Sequence, residues 1–190
     1  AVIFSAAVKA TTISIDANSV NFNGNTTADI TVSSATEITL AAGKNIIGYV
    51  DVSVADLDVT LNMSGGDSTI TGEVGKTHAV TKINAAAANS TSTFEEVVNA
   101  ANITLGAGTA VFNDSVTGVI TTNSGIIKLS SGKQIDGTID GSEDNVGELV
   151  LLGDATLLGA VGHSHSLSSI TTAAHSTATF DSTVNTQTLN

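Results

Sequence analysis

The sequence predicts an all-β fold, a right-handed parallel β-solenoid of about nine coils with roughly 18–24 residues in each. Three observations lead to this prediction: a long internal repeat, a shorter spacing of apolar residues inside the repeat, and short segments in which apolar and polar residues alternate. A coil of a solenoid stacks its inward side chains on those of the next coil, so such a fold reuses one pattern along the chain. We therefore expect the whole of 1–190 to be a single solenoid segment.

The long repeat is marked by phenylalanines and by the phrases around them. Phe4 in "AVIFSAAV" matches Phe94 in "STFEEVV", and Phe94 matches Phe180 in "ATFDSTV". Between these anchors "DSTITGEVG" matches "DATLLGAVG", and "HAVTKI" matches "HSLSSI". Because the offset changes by only a few residues, we place the length changes in turns. The predicted repeats are approximately 1–89 and 90–175, with a third copy starting at 176–190.

The shorter spacing predicts the individual coils. Phe4, Phe22 and Leu40 follow one another at equal intervals, and Ile46 and Ile70 are separated by a slightly longer one. Around them, stretches such as "ADITVSSATEITL" alternate apolar residues with Ser, Thr, Asn or Asp, and Gly and Asn separate such runs. Alternation at period two over short runs is typical of strands. About nine coils at a strand spacing of ~4.8 Å would make a rod roughly 45 Å long.

One segment has the composition of a helix. Residues 84–101, "NAAAANSTSTFEEVVNAA", contain a run of alanines, which helices favour. The matching segment in the next repeat, "TTAAHSTATFDSTVNT", has far weaker helix formers. We therefore predict a loop followed by a strand.

The composition excludes several classes of function. The net charge is −12, and all six basic residues are lysines, so we expect no nucleic-acid partner, because nothing provides a basic stripe for phosphates. The chain has no Cys, and therefore no disulfide framework. It has no apolar run of about 18 residues, and we expect the opening "AVIFSAAVKA" not to be a secretory signal, because it is short and lacks a basic n-region. Because it begins without Met, we expect a processed product or a piece of a longer protein.

The stretch "GKNIIGYVD" at 43–51 returns as "GKQIDGTID" at 132–140. In a duplicated active site, the polar residues would be the matched ones. Here the shared positions are the glycines and the alternate apolar residues, together with one Lys and one Asp that turns tolerate well. We predict inward side chains at Ile46, Ile135, Val50 and Ile139. The duplication therefore indicates a repeated coil, and no catalytic, cofactor-binding or metal-binding residue is predicted.

Histidines and carboxylates are the only other candidates for chemistry. His163, His165 and His175 lie near one another in the sequence, and His-x-His on a strand places both rings on one face, as a metal site could require. The first repeat has Lys76 in place of His163, so we predict exposed turn histidines. The acidic stretches 51–58 and 140–145 could attract Ca²⁺ weakly but lack the order of a known calcium loop. We therefore expect no cofactor.

Two phrases carry a resemblance to a known family. "TGEVG" (71–75) and "LGAVG" (158–162) are each followed by a K/H-x-H-x-V/L-x-x-I segment and then by "STFEEVVNAANITLGAGTAVFNDSVTG" or "STATFDSTVNTQTLN". This succession resembles the passenger regions of rickettsial autotransporter outer-membrane surface antigens, over nearly the whole chain. The resemblance implies a β-helical passenger outside the bacterial cell, with roles in adhesion or as a protein coat, and no catalytic residues.

The sequence thus predicts a non-enzymatic structural or adhesive segment of a bacterial cell-surface or extracellular protein. Its expected partners are other copies of itself, through head-to-tail association, or a host-cell or matrix receptor; no small-molecule substrate is identified. The first alternative is a self-assembling extracellular filament whose coils continue across chain boundaries. The second is a β-helical polysaccharide-processing enzyme, which would require a groove lined by several carboxylates.

Overall fold

The fold is a parallel β-solenoid of about nine turns, as predicted. A computed structural model describes residues 1–63 and 65–190, and within them every paired strand runs parallel to its neighbours and no helix occurs. The strands form two continuous sheets of 11 strands each. The right-handed sense of the coil stays a prediction.

The strands are short, and turns separate most of them. In the first half of the chain they are β1 (Val2–Phe4), β2 (Val8–Ile15), β3 (Ser19–Phe22), β4 (Thr26–Val32), β5 (Thr36–Leu40), β6 (Ile46–Ile47), β7 (Val50–Val52), β8 (Val59–Met63), β9 (Ser68–Ile70), β10 (Val80–Ala85) and β11 (Thr91–Phe94). In the second half they are β12 (Val98–Leu105), β13 (Thr109–Phe112), β14 (Val116–Thr122), β15 (Ile126–Leu129), β16 (Lys133–Asp136), β17 (Ile139–Gly141), β18 (Glu148–Leu151), β19 (Ala155–Leu157), β20 (Leu167–Thr172), β21 (Ala178–Phe180) and β22 (Thr186–Leu189).

Strand pairing arranges the inward side chains in ladders along the rod, and three of these ladders, one on each face of the coil, extend over its length. The first ladder is Val2, Val20, Ile38, Leu61, Ile83, Ile103, Ile120, Ile139, Val161 and Val184. The second is Val8, Thr26, Ile46, Ile70, Phe94, Phe112, Leu129, Leu151 and Thr172. The third is Ile13, Ile30, Val50, Val74, Val98, Val116, Ile135, Leu157 and Phe180.

The chain visits the three faces in a fixed order. It passes from the first ladder to the second, then to the third, and returns to the first one coil higher. Some long strands run from one face onto the next. β2 and β4 contribute to the second and third ladders, and β12 and β14 contribute to the third and first. This sharing is why three faces form only two continuous sheets.

Alternation decides which side chains enter the ladders. In β4, buried and half-buried residues alternate from Thr26 to Val32, and in β8 they alternate from Val59 to Met63. Successive side chains of a strand point to opposite faces, so one set fills the core and the other faces outward. The predicted inward residues Ile46, Ile135 and Val50 are completely buried, and so is Ile139.

Coil length varies around the predicted range. On the second ladder Phe112 pairs with Leu129, 17 residues later, whereas Ile46 pairs with Ile70, 24 residues later. The predicted stack of Phe4, Phe22 and Leu40 is confirmed. The rings of Phe4 and Phe22 lie 5.0 Å apart and nearly parallel, as neighbouring coils require. The extra residues of the long coils lie in turns, so ladder pairing continues across them.

The segment 84–101 contains no helix, which confirms its prediction as a loop followed by a strand. β10 ends at Ala85, and a turn follows in which Ala86 and Asn89 have positive φ, 54° and 60°. β11 and the start of β12 take up the remainder. Inward stacking on the neighbouring coils therefore overrides the helix propensity of the alanines.

Residues matched between the repeats also have matching backbone conformations. Gly48 has a φ of 141° and its counterpart Gly137 one of 147°. A side chain at either glycine would overlap the carbonyl oxygen of the coil below, that of Ala28 or of Gly118. Further pairs with similar positive φ are Gly43 and Gly132, Asp56 and Asn145, Gly75 and Gly162, and Asn89 and His175.

One fully buried position of the second ladder is polar, and it provides a test of the stacking. Thr26 is fully buried between Val8 and Ile46, and its hydroxyl has no hydrogen-bond partner among the described residues. We expect Thr26→Val to raise the free energy of unfolding by about 1 kcal/mol, because it removes a buried unpaired hydroxyl and keeps the shape of the side chain. Urea denaturation measures the change.

The control is Thr27→Val, which alters the next, half-buried residue on the outer side of the same strand. It should change stability by no more than about 0.5 kcal/mol. Equal effects of the two substitutions would contradict the inward placement of Thr26.

Candidate functional site: polar links, grooves and end coils

The most completely bonded acidic side chain on the rod is that of Asp51, at the end of "GKNIIGYVD". It is only 7% exposed. One carboxylate oxygen accepts hydrogen bonds from the backbone N–H of Val52, at 2.9 Å, and of Thr77, at 2.7 Å. The other accepts one from the Thr77 hydroxyl at 2.6 Å. Asp51 therefore fixes the turn of the next coil to its own.

The second repeat makes a looser version of the same link. Asp140, the counterpart of Asp51, accepts a hydrogen bond from the Ser164 backbone N–H at 2.9 Å. The sequence interpretation, that turns merely tolerate this Asp, was incomplete: the residue holds two coils together. The presence of an Asp at this position in both repeats was the available sequence signal for the link. The partner of Asp51, Thr77, lies 26 residues away, and only the stacking of the coils identifies it.

Other polar side chains make equivalent links between coils. Asp67 accepts a hydrogen bond from the Thr91 backbone N–H, and its counterpart Asp154 accepts one from that of Thr177, both at 2.7 Å. The side-chain amide oxygen of Asn45 accepts a hydrogen bond from the Thr69 backbone N–H at 2.9 Å. These bonds run from a turn to the coil above it and hold the corners in register.

One ion pair also joins neighbouring coils. The Lys133 Nζ atom lies 2.8 Å from an Asp114 carboxylate oxygen. The hydrogen bond that Lys133 donates to Asp114, together with one from the Ser115 backbone N–H, holds the pKa of Asp114 below its ordinary value of 3.8. The first repeat has Gly24 at the position of Asp114, so no carboxylate is available there to the corresponding lysine, Lys44. The ion pair therefore belongs to one repeat only.

The histidines do not form one cluster. His163, His165 and His175 are exposed, and His175 occupies a turn with a φ of 62°. His78 is half-buried, with its Nδ1 atom 3.0 Å from the Val52 carbonyl oxygen. In 1–63 and 65–190, no group of three or more His, Cys, Asp or Glu side chains is arranged to hold a metal ion.

The acidic stretches end in two exposed loops at corresponding places in the repeats. Residues 53–58 connect β7 with β8, and residues 142–147 connect β17 with β18. Asp56 and Asn145, which occupy the same position in the two loops, have φ values of 61° and 62°. In the second loop, hydrogen bonds join Asn145 and Asp144 to Ser166 of the next coil.

Open depressions follow the corners of the rod. The most voluminous of four, about 570 Å³, lies between the first acidic loop and the next coil and is lined by Asp56, Leu57, His78 and Asn99, among others. A second depression, of about 480 Å³, carries Glu37 and Asp58. None of the four carries more than two carboxylates, and all are shallow and open.

The outermost coils carry exposed apolar side chains. At one end Val2 and Ile3 are 43% and 56% exposed, and at the other Val184 and Leu189 are 38% and 61% exposed. In the neighbouring coils the positions paired with Val2, Val184 and Leu189 are buried, whereas Ile3 lies on the outer side of its strand. A hollow of about 260 Å³ beside Phe4 marks the first of these ends.

Comparison with known proteins gives no relative. No family model, no curated protein and no solved structure matches this chain. In the described part of the chain, no helix has the length and apolar character to cross a membrane.

The Asp51 link predicts a measurable loss of stability. We expect Asp51→Ala to lower the free energy of unfolding by about 1–3 kcal/mol, because the N–H groups of the buried Val52 and of Thr77 lose their acceptor. Urea denaturation measures the difference. The matched control is Asp136→Ala, at an exposed strand position, which should cost no more than about 0.5 kcal/mol. Equal losses would contradict the structural role of Asp51.

The ion pair predicts a dependence on pH. A carboxyl group whose pKa is lowered by folding stabilises the folded state above its unfolded pKa, and this stabilisation is lost as the pH falls through the folded value. Lys133→Met should therefore raise the pKa of Asp114, measured by its side-chain carboxyl resonance in an NMR titration. It should lower stability at pH 7 by less than about 1 kcal/mol, because the pair is partly exposed.

The stability difference between Lys133→Met and the native chain should disappear when Asp114 is protonated in both. Lys44→Met changes the corresponding lysine of the first repeat, which faces no counterpart of Asp114, and should leave the Asp114 titration unchanged. A stability difference that persists undiminished at pH 2 would show that Lys133 acts through packing.

Proposed function

We propose that this chain is a non-enzymatic structural segment of an extracellular bacterial surface protein, a rigid rod that forms part of a coat or presents adhesive surface. The observation that carries the proposal is the continuity of the three ladders. Inward side chains stack from coil to coil over the whole length, and the corners are linked by the bonds of Asp51, Asp67 and their counterparts. Such a rod holds its two ends at a fixed separation, as a surface spacer must.

The outer surface supports the same proposal. Outward strand positions are rich in Thr, Ser and Asn, and the net charge of −12 keeps such rods from associating non-specifically. Some of these side chains bond to each other along the rod: Asn62 donates a hydrogen bond to Glu37 and accepts one from Asn84, both at 2.6 Å. The resemblance of the phrases at 71–75 and 158–162 to rickettsial autotransporter passengers agrees with this location. A host-cell or matrix receptor is the partner proposed for an adhesive role.

Labelling of intact cells tests the proposal. Antibodies raised against the folded chain should bind the periphery of unpermeabilised cells of the source bacterium, as seen by immunogold electron microscopy. An antibody against a cytoplasmic protein, which should label only permeabilised cells, is the control. Labelling by the anti-rod antibodies only after permeabilisation would overturn the surface location.

A filament is the second candidate, and the exposed apolar residues of the end coils favour it. Stacking of another copy would bury Val2 at one end and Val184 and Leu189 at the other, a head-to-tail contact that generates a fibre. Flanking coils of a longer chain would bury the same residues. Electron micrographs of the purified 190-residue chain distinguish the two: fibres with an axial repeat near one rod length support the filament, and dispersed rods contradict it.

A further inference from the structure

The long sequence repeat does not contain a whole number of coils. Starting at Ile46, four steps up the second ladder lead to Ile70, Phe94, Phe112 and finally Leu129. The counterpart of Ile46 in the second repeat is Ile135, which comes one segment after Leu129 and pairs with Val116 and Leu157 on the third ladder. One repeat therefore advances the chain by four coils and one further face.

The same shift holds at every matched position that pairing defines. Val20 belongs to the first ladder, and its counterpart Ala110 pairs with Ile127 on the second face. Val50 belongs to the third ladder, and its counterpart Ile139 belongs to the first. Each move is by one face in the direction of the chain. Variation in coil length hides this shift, because the offset in the sequence counts residues and not faces.

We propose that successive repeats present equivalent surfaces in directions one face apart, so that bulky groups attached at equivalent sites of neighbouring repeats do not exclude each other. In a three-faced coil, one face corresponds to a rotation of about 120°, and four and one-third coils to an advance of roughly 21 Å. The repeated surface thus winds around the rod as a three-fold screw and returns to its first face after three repeats. This inference rests on the proposed function as a surface-presenting rod.

The acidic loops illustrate the consequence. The loop at 53–58 leaves the third face and enters the first, whereas the loop at 142–147 leaves the first face and enters the second. The two loops therefore protrude from different corners. A rod built in this way contacts neighbours on several sides, as a coat or mesh requires, and does not offer one continuous binding face.

A pair of double-cysteine variants tests the geometry, because the chain has no cysteine of its own. Thr69→Cys with Thr156→Cys labels equivalent positions of the two repeats. Thr69→Cys with Val150→Cys labels one face four coils apart, through the pairs of Thr69 with Thr93, Thr93 with Val111, Val111 with Lys128, and Lys128 with Val150. All three sites are half-buried outward strand positions.

Spin labels at these sites give distances by pulsed electron paramagnetic resonance. We expect roughly 19 Å for the pair on one face, from four coil spacings, and a distance roughly 10 Å longer for the equivalent pair, whose labels point away from each other. Similar distances for the two variants would overturn the proposal. Circular dichroism confirms that each variant is folded, and Ser53→Cys with Ser142→Cys, at exposed loop positions, provides an independent equivalent pair.

Biotin attached to the same cysteines tests simultaneous binding. Streptavidin is the bulky partner, and native mass spectrometry counts the bound copies at excess. The equivalent pair should bind two, because the sites face apart, and the pair on one face should bind one. Two copies on both variants, or one on both, would contradict the proposal. The distance and streptavidin experiments test only the geometry of the rod, whereas labelling of intact cells tests its surface location. Either of the two proposals can therefore fail while the other is supported.

Discussion

The stacking of each coil's inward side chains on those of the next is the interaction on which the rest of this structure depends. Parallel pairing brings Ile70 over Ile46 and Val116 over Val98, so the apolar side chains of one coil are covered by those of the next. An isolated coil could not bury these side chains, because it has no second layer. The fold is therefore stable only as a stack, and each coil's stability depends on its neighbours.

Stacking also determines where polar groups are tolerated and what they do. The turns must change direction without losing the register of the ladders, and carboxylates such as Asp51 and Asp67 secure them by accepting backbone N–H groups of the next coil. Glycine is required where a corner approaches the coil below, as at Gly48 and Gly137. Charge is consequently used mainly at corners and loops, and the ladders themselves are almost entirely apolar.

The fold could be predicted from the sequence because its signals are local or periodic. Alternation identified the strands, the equal spacing of Phe4, Phe22 and Leu40 identified neighbouring coils, and weak helix propensity in the matching segment excluded a helix at 84–101. The links made by Asp51 could not be predicted in the same way. Their partners lie about one coil away, at a distance that changes with every turn, so only the assembled stack identifies them.

The sequence by itself determined the solenoid, the approximate coil length and the identity of inward residues such as Ile135 and Val50, because burial on alternate positions leaves a readable pattern. Only the tertiary structure decided that the coil has three faces and that the long repeat shifts by one of them. The physical reason is that coils of 17 and of 24 residues both complete one turn, their extra residues lying in the corners. Residue number therefore does not measure rotation around the rod, and the direction in which each repeat faces follows only from the pairing of its strands.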